Sequence, residues 1–109
     1  MSDCIFCKII DKKIPAEIVF ENEHFLAFKD IHPKAKVHWL LIPKKHLESL
    51  AHQESGDLQL MGELTQLLPV LAKKAGLDTG FRTIINTGVG GGQEVFHLHY
   101  HILGGGFLK

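Results

Sequence analysis

Asp57-Leu58-Gln59-Leu60-Met61-Gly62-Glu63-Leu64-Thr65-Gln66-Leu67-Leu68-Pro69-Val70-Leu71-Ala72-Lys73-Lys74-Ala75-Gly76 sets Leu58, Met61, Leu64, Leu68, Leu71 and Ala75 at intervals of three and four. That period gathers one apolar stripe on one face of a helix. Ser55 is the candidate N-cap and Gly76 the candidate stop. Pro69 falls inside, where a lost hydrogen bond and a ring clash cost ~3 kcal/mol or more, so a kink or break is expected there. On the N-terminal side, Ala16–Phe20 and Phe25–Lys29 are short apolar runs around the polar turn Glu21-Asn22-Glu23-His24, the pattern of a β-hairpin. His38-Trp39-Leu40-Leu41-Ile42 is almost continuously apolar and stops at Pro43, as a central strand covered on both faces would. On the C-terminal side, Phe81–Asn86 and Val95–Leu103 read as two more strands, joined by the glycine-rich Thr87–Gln93. Strands, one long helix and more strands predict an α+β fold: an antiparallel sheet of about five strands packed by one helix.

The chain has 109 residues, which suits one domain over 1–109 with one core. Twelve Lys+Arg balance twelve Asp+Glu, so the basic field that a nucleic-acid backbone requires is not expected, while a single nucleotide remains a feasible ligand. No apolar run approaches the ~20 residues that span a bilayer, and the N-terminus lacks the pattern of a secretion signal. A cytoplasmic protein without a membrane partner is expected.

Eight histidines are an unusual count, and three of them alternate in His97-Leu98-His99-Tyr100-His101. On a strand these three form one row, ~7 Å between neighbours, while Phe96, Leu98, Tyr100 and Ile102 point to the core. Neutral imidazole is a nucleophile near pH 7 because its ordinary pKa is about 6.5. A phosphorus–nitrogen bond to it becomes labile on protonation, which suits a two-step displacement. Two other readings stay open: three imidazoles that are merely hydrogen-bonded, and three ligands for one zinc ion. The glycines from Gly88 to Gly92 permit close approach of backbone N–H groups to an anion, though such clusters are also ordinary turns.

The string Asn86…Gly91-Gly92-Gln93-Glu94-Val95-Phe96-His97-Leu98-His99-Tyr100-His101-Ile102-Leu103-Gly104-Gly105 resembles the signature of the histidine-triad superfamily. It resembles most its nucleotide-binding branch, which hydrolyses purine nucleoside phosphoramidates. Ile5-Phe6-Cys7-Lys8-Ile9-Ile10, Ile14-Pro15-Ala16, Ala27–Ile31 and His38…Ile42-Pro43-Lys44-Lys45-His46 resemble that branch in order and spacing, so nearly the whole chain is covered. The resemblance implies that His99 is the nucleophile that becomes nucleotidylated, that His101 hydrogen-bonds the phosphate, and that His38 supports the triad from a neighbouring strand. It implies a phosphate pocket of Asn86, Gly92, Gln93 and the Glu94 and Val95 backbone. Phe6, Ile9, Phe28 and Ile31 would form the base slot, although each alone reads as core. Asp30 would hold the ribose, as one carboxylate can accept from both hydroxyls. Its other reading is a turn-initiating aspartate before Ile31-His32-Pro33. Many eukaryotic members carry serine where Glu94 stands here, and the Glu94 side chain is not assigned as the general acid. The resemblance and the small size also imply a homodimer, and a purine nucleotide such as AMP or its phosphoramidate as the ligand. Cleavage of dinucleoside polyphosphates, nucleotidyl transfer, and nucleotide sensing or scaffolding with little turnover are the alternatives.

Cys4 and Cys7 have the C-x₂-C spacing that lets two thiolates reach one tetrahedral metal. His46 and His97 are the candidate remaining ligands. Some histidine-triad proteins, and the related galactose-1-phosphate uridylyltransferases, are similar in binding structural zinc through such a set. A closed Cys₂His₂ site would pin the N-terminus to the catalytic segment and take no part in catalysis. A redox pair needs a preceding strand for which four residues leave no room, and two unligated thiols are the remaining alternative.

Overall fold

The computed structural model describes residues 3–107. Five strands form one antiparallel sheet: β1 (Ile18–Glu21), β2 (Phe25–Lys29), β3 (Ala35–Pro43), β4 (Arg82–Ile84) and β5 (Tyr100–Phe107), in the order β1-β2-β3-β5-β4. Two α-helices accompany it, α1 (Ile5–Ile10) and α2 (Leu58–Lys74). The fold is α+β, as the alternation of strand and helix patterns predicts. No helix among the described residues is long and apolar enough to cross a membrane.

The apolar run of β3 is central because both its faces are covered. Trp39 and Leu41 join Phe25 and Ala27 of β2 under Met61, Leu64, Leu68, Leu71 and Ala72 of α2. Leu40 and Ile42 join Leu26 and Phe28 on the opposite face, where Phe6 and Ile9 of α1 close a second cluster. Period-two alternation thus runs through side chains that are apolar on both faces. The six residues of α1 are too few to show a helical period in sequence, and this element was not expected.

α2 begins after Asp57, whose buried carboxylate accepts from Lys45 Nζ and from the Glu54 N–H at 2.9 Å. The expected cap Ser55 instead opens a short 3₁₀ turn, Ser55–Asp57. Gly76 stops the helix as expected: it has φ +82°, and the Leu77 N–H reaches back to the Ala72 carbonyl at 2.9 Å, a closure that needs a left-handed residue. The helix runs through Pro69 without the expected break.

The larger correction concerns the histidine segment. β5 begins only at Tyr100, opposite Leu41, so His97 and His99 precede the strand. Their stretch is held by the loop after β3 instead: the Leu98 N–H donates to Leu47 O at 2.7 Å, and His97 Nε2–H to Pro43 O at 2.8 Å. The register would set Ile42 and Pro43 of β3 opposite His99 and Leu98, but the ladder stops at the Leu41–Tyr100 pair. Leu98, Tyr100 and Ile102 still reach the core, but Phe96 is 44% exposed and does not.

Candidate active site

His99 lies in front of β5 with its ring buried against Phe6, centroids 5.2 Å apart. Its Nδ1–H donates to the His97 carbonyl at 2.7 Å. That bond fixes the tautomer, leaving the lone pair on Nε2. Burial holds the ring's pKa below 6.5 against the opposing pull of the His97 carbonyl and Asp30, so the ring is neutral at pH 7. His101, on β5, stands 5.1 Å from His99 by ring centroids, closer than the strand repeat predicts. Its Nδ1 lies 2.9 Å from His38 Nε2. His38 Nδ1 accepts the Lys34 N–H at 3.1 Å, so His38 donates through Nε2 and His101 carries its own proton on Nε2. Burial, then the nearness of His99 and His38, pushes the His101 pKa down to about 4. The relay leaves a neutral acceptor on His99 beside a neutral donor on His101.

Both rings line a cavity of about 480 Å³. Phe6, Ile9 and Phe28 make its apolar wall, and Ile31, 84% exposed, stands at the rim. Asn86, Gly92, Glu94 and Val95 line its polar side. Asp30 Oδ1 accepts the His32 N–H at 2.7 Å and makes the expected turn, while Oδ2 lies 3.4 Å from His38 Nε2 in the cavity wall. Gln93 is placed otherwise. Its side chain is buried outside the cavity lining, accepting from the Gly88 N–H at 2.8 Å and donating to Glu48 O and Val95 O at 2.6 and 3.0 Å. It braces the glycine turn, with Asn86 Nδ2 donating to Gly91 O at 2.9 Å. Gly88 and Gly92 take φ +74° and +82° there, where a side chain would strain the backbone. Lys34 and His32 also line the cavity. Sequence reasoning missed them; their position two to four residues past Asp30 was the available signal.

A family model described as "Scavenger mRNA decapping enzyme C-term binding" matches residues 3–108. Protein HitA of Neisseria gonorrhoeae is 55% identical over 104 residues, 95% of this chain and 97% of that protein. The chain belongs to the histidine-triad superfamily. Among solved structures, a HIT family hydrolase from Legionella pneumophila Philadelphia 1 is 42% identical with a TM-score of 0.92, covering 98% of this chain and 96% of that one. A histidine triad protein from Clostridium difficile is 45% identical with a TM-score of 0.93, covering 100% and 96%.

In this histidine-triad chain the first histidine of the motif faces away from the cavity. His97 Nε2–H is committed to Pro43 O, so its lone pair is on Nδ1, which lies 3.4 Å from Cys4 Sγ, 3.6 Å from Cys7 Sγ and 3.1 Å from His46 Nδ1. Cys7 Sγ lies 3.4 Å from His46 Nδ1, and all four ligand atoms fall within 4.8 Å of one another. Ligand bonds of ~2.0–2.3 Å around a tetrahedral ion imply edges of about 3.3–3.8 Å, close to the 3.1–3.6 Å of the four distances above, so the donor set fits one metal ion. Burial, then the neighbouring Cys4, pushes the Cys7 thiol up to about 11, so a thiolate there calls for a cationic partner.

Proposed function

We propose that the chain is a purine nucleotide-binding hydrolase that cleaves nucleoside phosphoramidates, or related nucleotidyl conjugates, through a nucleotidyl-His99 intermediate. The observation that carries this reading is the His99 Nδ1–H bond to the His97 carbonyl, which leaves a neutral Nε2 lone pair on a ring of the cavity wall. Phe6, Ile9, Phe28 and Ile31 would take the base and Asp30 the ribose. His101, donating from Nε2, would hold the phosphoryl oxygens with Asn86, Gly92 and the Glu94 and Val95 backbone, while buried Gln93 supports that loop. In the first step His99 Nε2 bonds to phosphorus and the amine departs with the electron pair of the broken bond, taking up a proton. In the second, water attacks phosphorus, releases the nucleotide and loses a proton, and the imidazole is restored. Relatives described as hydrolases and histidine-triad proteins support this chemistry.

The test is steady-state hydrolysis of adenosine 5′-phosphoramidate and of diadenosine polyphosphates by the native chain and by His99→Gly. A loss of at least about 10³-fold on the phosphoramidate, with an adenylylated species trapped by rapid alkaline quench in the native protein only, is expected. Full activity of the variant removes the nucleophile assignment. Cleavage of dinucleoside polyphosphates is the second reading, favoured by the cationic Lys34 in the cavity wall. Tight AMP binding without turnover or adduct would leave a nucleotide sensor.

The same proposal includes a structural zinc ion on Cys4, Cys7, His46 and His97, a homodimer, and residence in the reducing cytoplasm, where free thiols persist. Zinc there would close the ligand set and supply no catalytic step. Metal analysis of protein purified without chelator checks it, with one zinc per chain expected.

A further inference from the structure

α1 belongs to two sites at once. Cys4 caps it, with Sγ accepting the Cys7 N–H at 3.3 Å, and Cys7 lies within it, so both candidate thiolate ligands ride on this element. Phe6 and Ile9, interleaved with them, are cavity wall. The Phe6 ring touches both sides of the arrangement: its centroid is 5.9 Å from His97, 5.2 Å from His99 and 5.3 Å from Phe28.

What holds α1 in place is unusually slight. Its six residues fall well short of the ~12–15 that give an isolated helix even marginal stability. The turn that follows is closed on the helix itself, with the Asp11, Lys12 and Lys13 N–H groups donating to Cys7 O, Ile9 O and Lys8 O. Among the described residues no backbone hydrogen bond joins α1 to a strand. The exposed Lys12–Glu21 ion pair just beyond it contributes little. The attachment therefore consists of the buried Phe6 and Ile9, the partly buried Ile10, and the meeting of Cys4 and Cys7 with His46 and His97. Without a cation that meeting is a set of thiol–imidazole contacts at 3.4–3.6 Å, which are weak bonds.

We propose that Cys4, Cys7 and His46 are positioning residues for the purine base. A divalent cation held by them together with His97 pins α1 against the sheet, and α1 in turn fixes the wall on which the base packs. Metal and nucleotide then strengthen each other's binding, by the same factor in both directions. The inference rests on the nucleotide-binding reading above and adds that the cluster acts on the base end of the cavity. A cluster that merely keeps the chain folded would weaken every ligand alike.

The experiment titrates AMP and ribose 5-phosphate, which lacks the base, into protein loaded with one equivalent of Zn²⁺ and into the same protein after chelation, with far-UV circular dichroism of both forms. Removal of zinc is expected to weaken AMP by about tenfold or more and ribose 5-phosphate by less than about threefold. Cys7→Ser is expected to behave as the chelated native chain does. Zinc affinity, read by competition with a chromophoric chelator, is expected to rise with saturating AMP by the factor that zinc gives AMP. Equal AMP affinity in the two forms, equal weakening of both ligands, or loss of the folded spectrum on chelation each overturns the proposal. AMP binding to neither form removes the nucleotide reading itself, whereas AMP bound equally well with and without zinc removes this inference alone.

Discussion

His99 is useful as a nucleophile only while its Nε2 is unprotonated, and burial decides the pH at which that ends. Its pKa lies below the ordinary 6.5, and the neighbouring His101 is held down at about 4. A lowered pKa means that the ring refuses protons an exposed imidazole would accept, so the active form persists to more acid solution. The acid limb of kcat/KM is expected to have its midpoint below 6.5, in a profile measured with adenosine 5′-phosphoramidate. An acid limb with its midpoint at 6.5 or above would contradict the buried, neutral ring. Gln93 gives a second outcome at this scale. Its buried amide satisfies the Gly88 N–H and the Glu48 and Val95 carbonyls, groups that an apolar side chain would orphan. Gln93→Leu is expected to lower stability by roughly 1–3 kcal/mol in urea denaturation. No change would mean that water replaces the amide.

α2 and α1 show at the level of elements what a period can and cannot reveal. The 17 residues of α2 state their stripe clearly, and from Met61 onward it packs on Trp39, Leu41 and Phe25, whereas Leu58 at its start is exposed. Its Pro69 removes the N–H that would bond to the Thr65 carbonyl, and the Thr65 hydroxyl turns back to Met61 O at 3.0 Å. Packing of Leu64, Leu68 and Leu71 outweighs that penalty and keeps the helix unbroken. Because Pro69 itself is exposed, Pro69→Ala returns a hydrogen bond without loss of core, and a gain of roughly 1–3 kcal/mol by urea denaturation is expected. A loss would show the proline to be part of a contact surface. The central place of β3 was legible for a like reason, because Trp39–Ile42 is apolar on both faces. α1 was not, since six residues define no stripe and its cysteines meet the distant His46 and His97. Histidine alternation singled out residues that the structure sets in the cavity and the cysteine cluster, on a backbone it did not predict. The bonds that keep His97 and Leu98 out of the ladder come from Pro43 and Leu47, about fifty residues earlier in the chain, which no local pattern encodes.

The whole molecule carries its exposed apolar surface unevenly. Val70 of α2, next to Pro69, is 56% exposed, and Phe81, which leads into the edge strand β4, is 39% exposed. Pro69 and Phe81 line one shallow depression of about 360 Å³ with Ala72 and Leu77, so α2 and the segment that leads into β4 share one face. An edge strand and an apolar patch are both liabilities for a monomer, and a second copy of the chain meeting them about a two-fold axis would cover both at once. A 12.2 kDa chain also gains from the added burial, because a small domain buries a lower share of its surface. Light scattering coupled to size exclusion is therefore expected to give twice 12.2 kDa at micromolar concentration. Val70→Glu, which sets a carboxylate in the covered face, is expected to give the single-chain mass with an unchanged far-UV spectrum. The cavity and the cysteine cluster are formed here within one chain, so phosphoramidate hydrolysis by the dissociated variant separates the two issues: retained turnover leaves the site as described, and lost turnover means the partner completes it. A native mass of 12.2 kDa over the same concentrations would show that this face serves some other purpose.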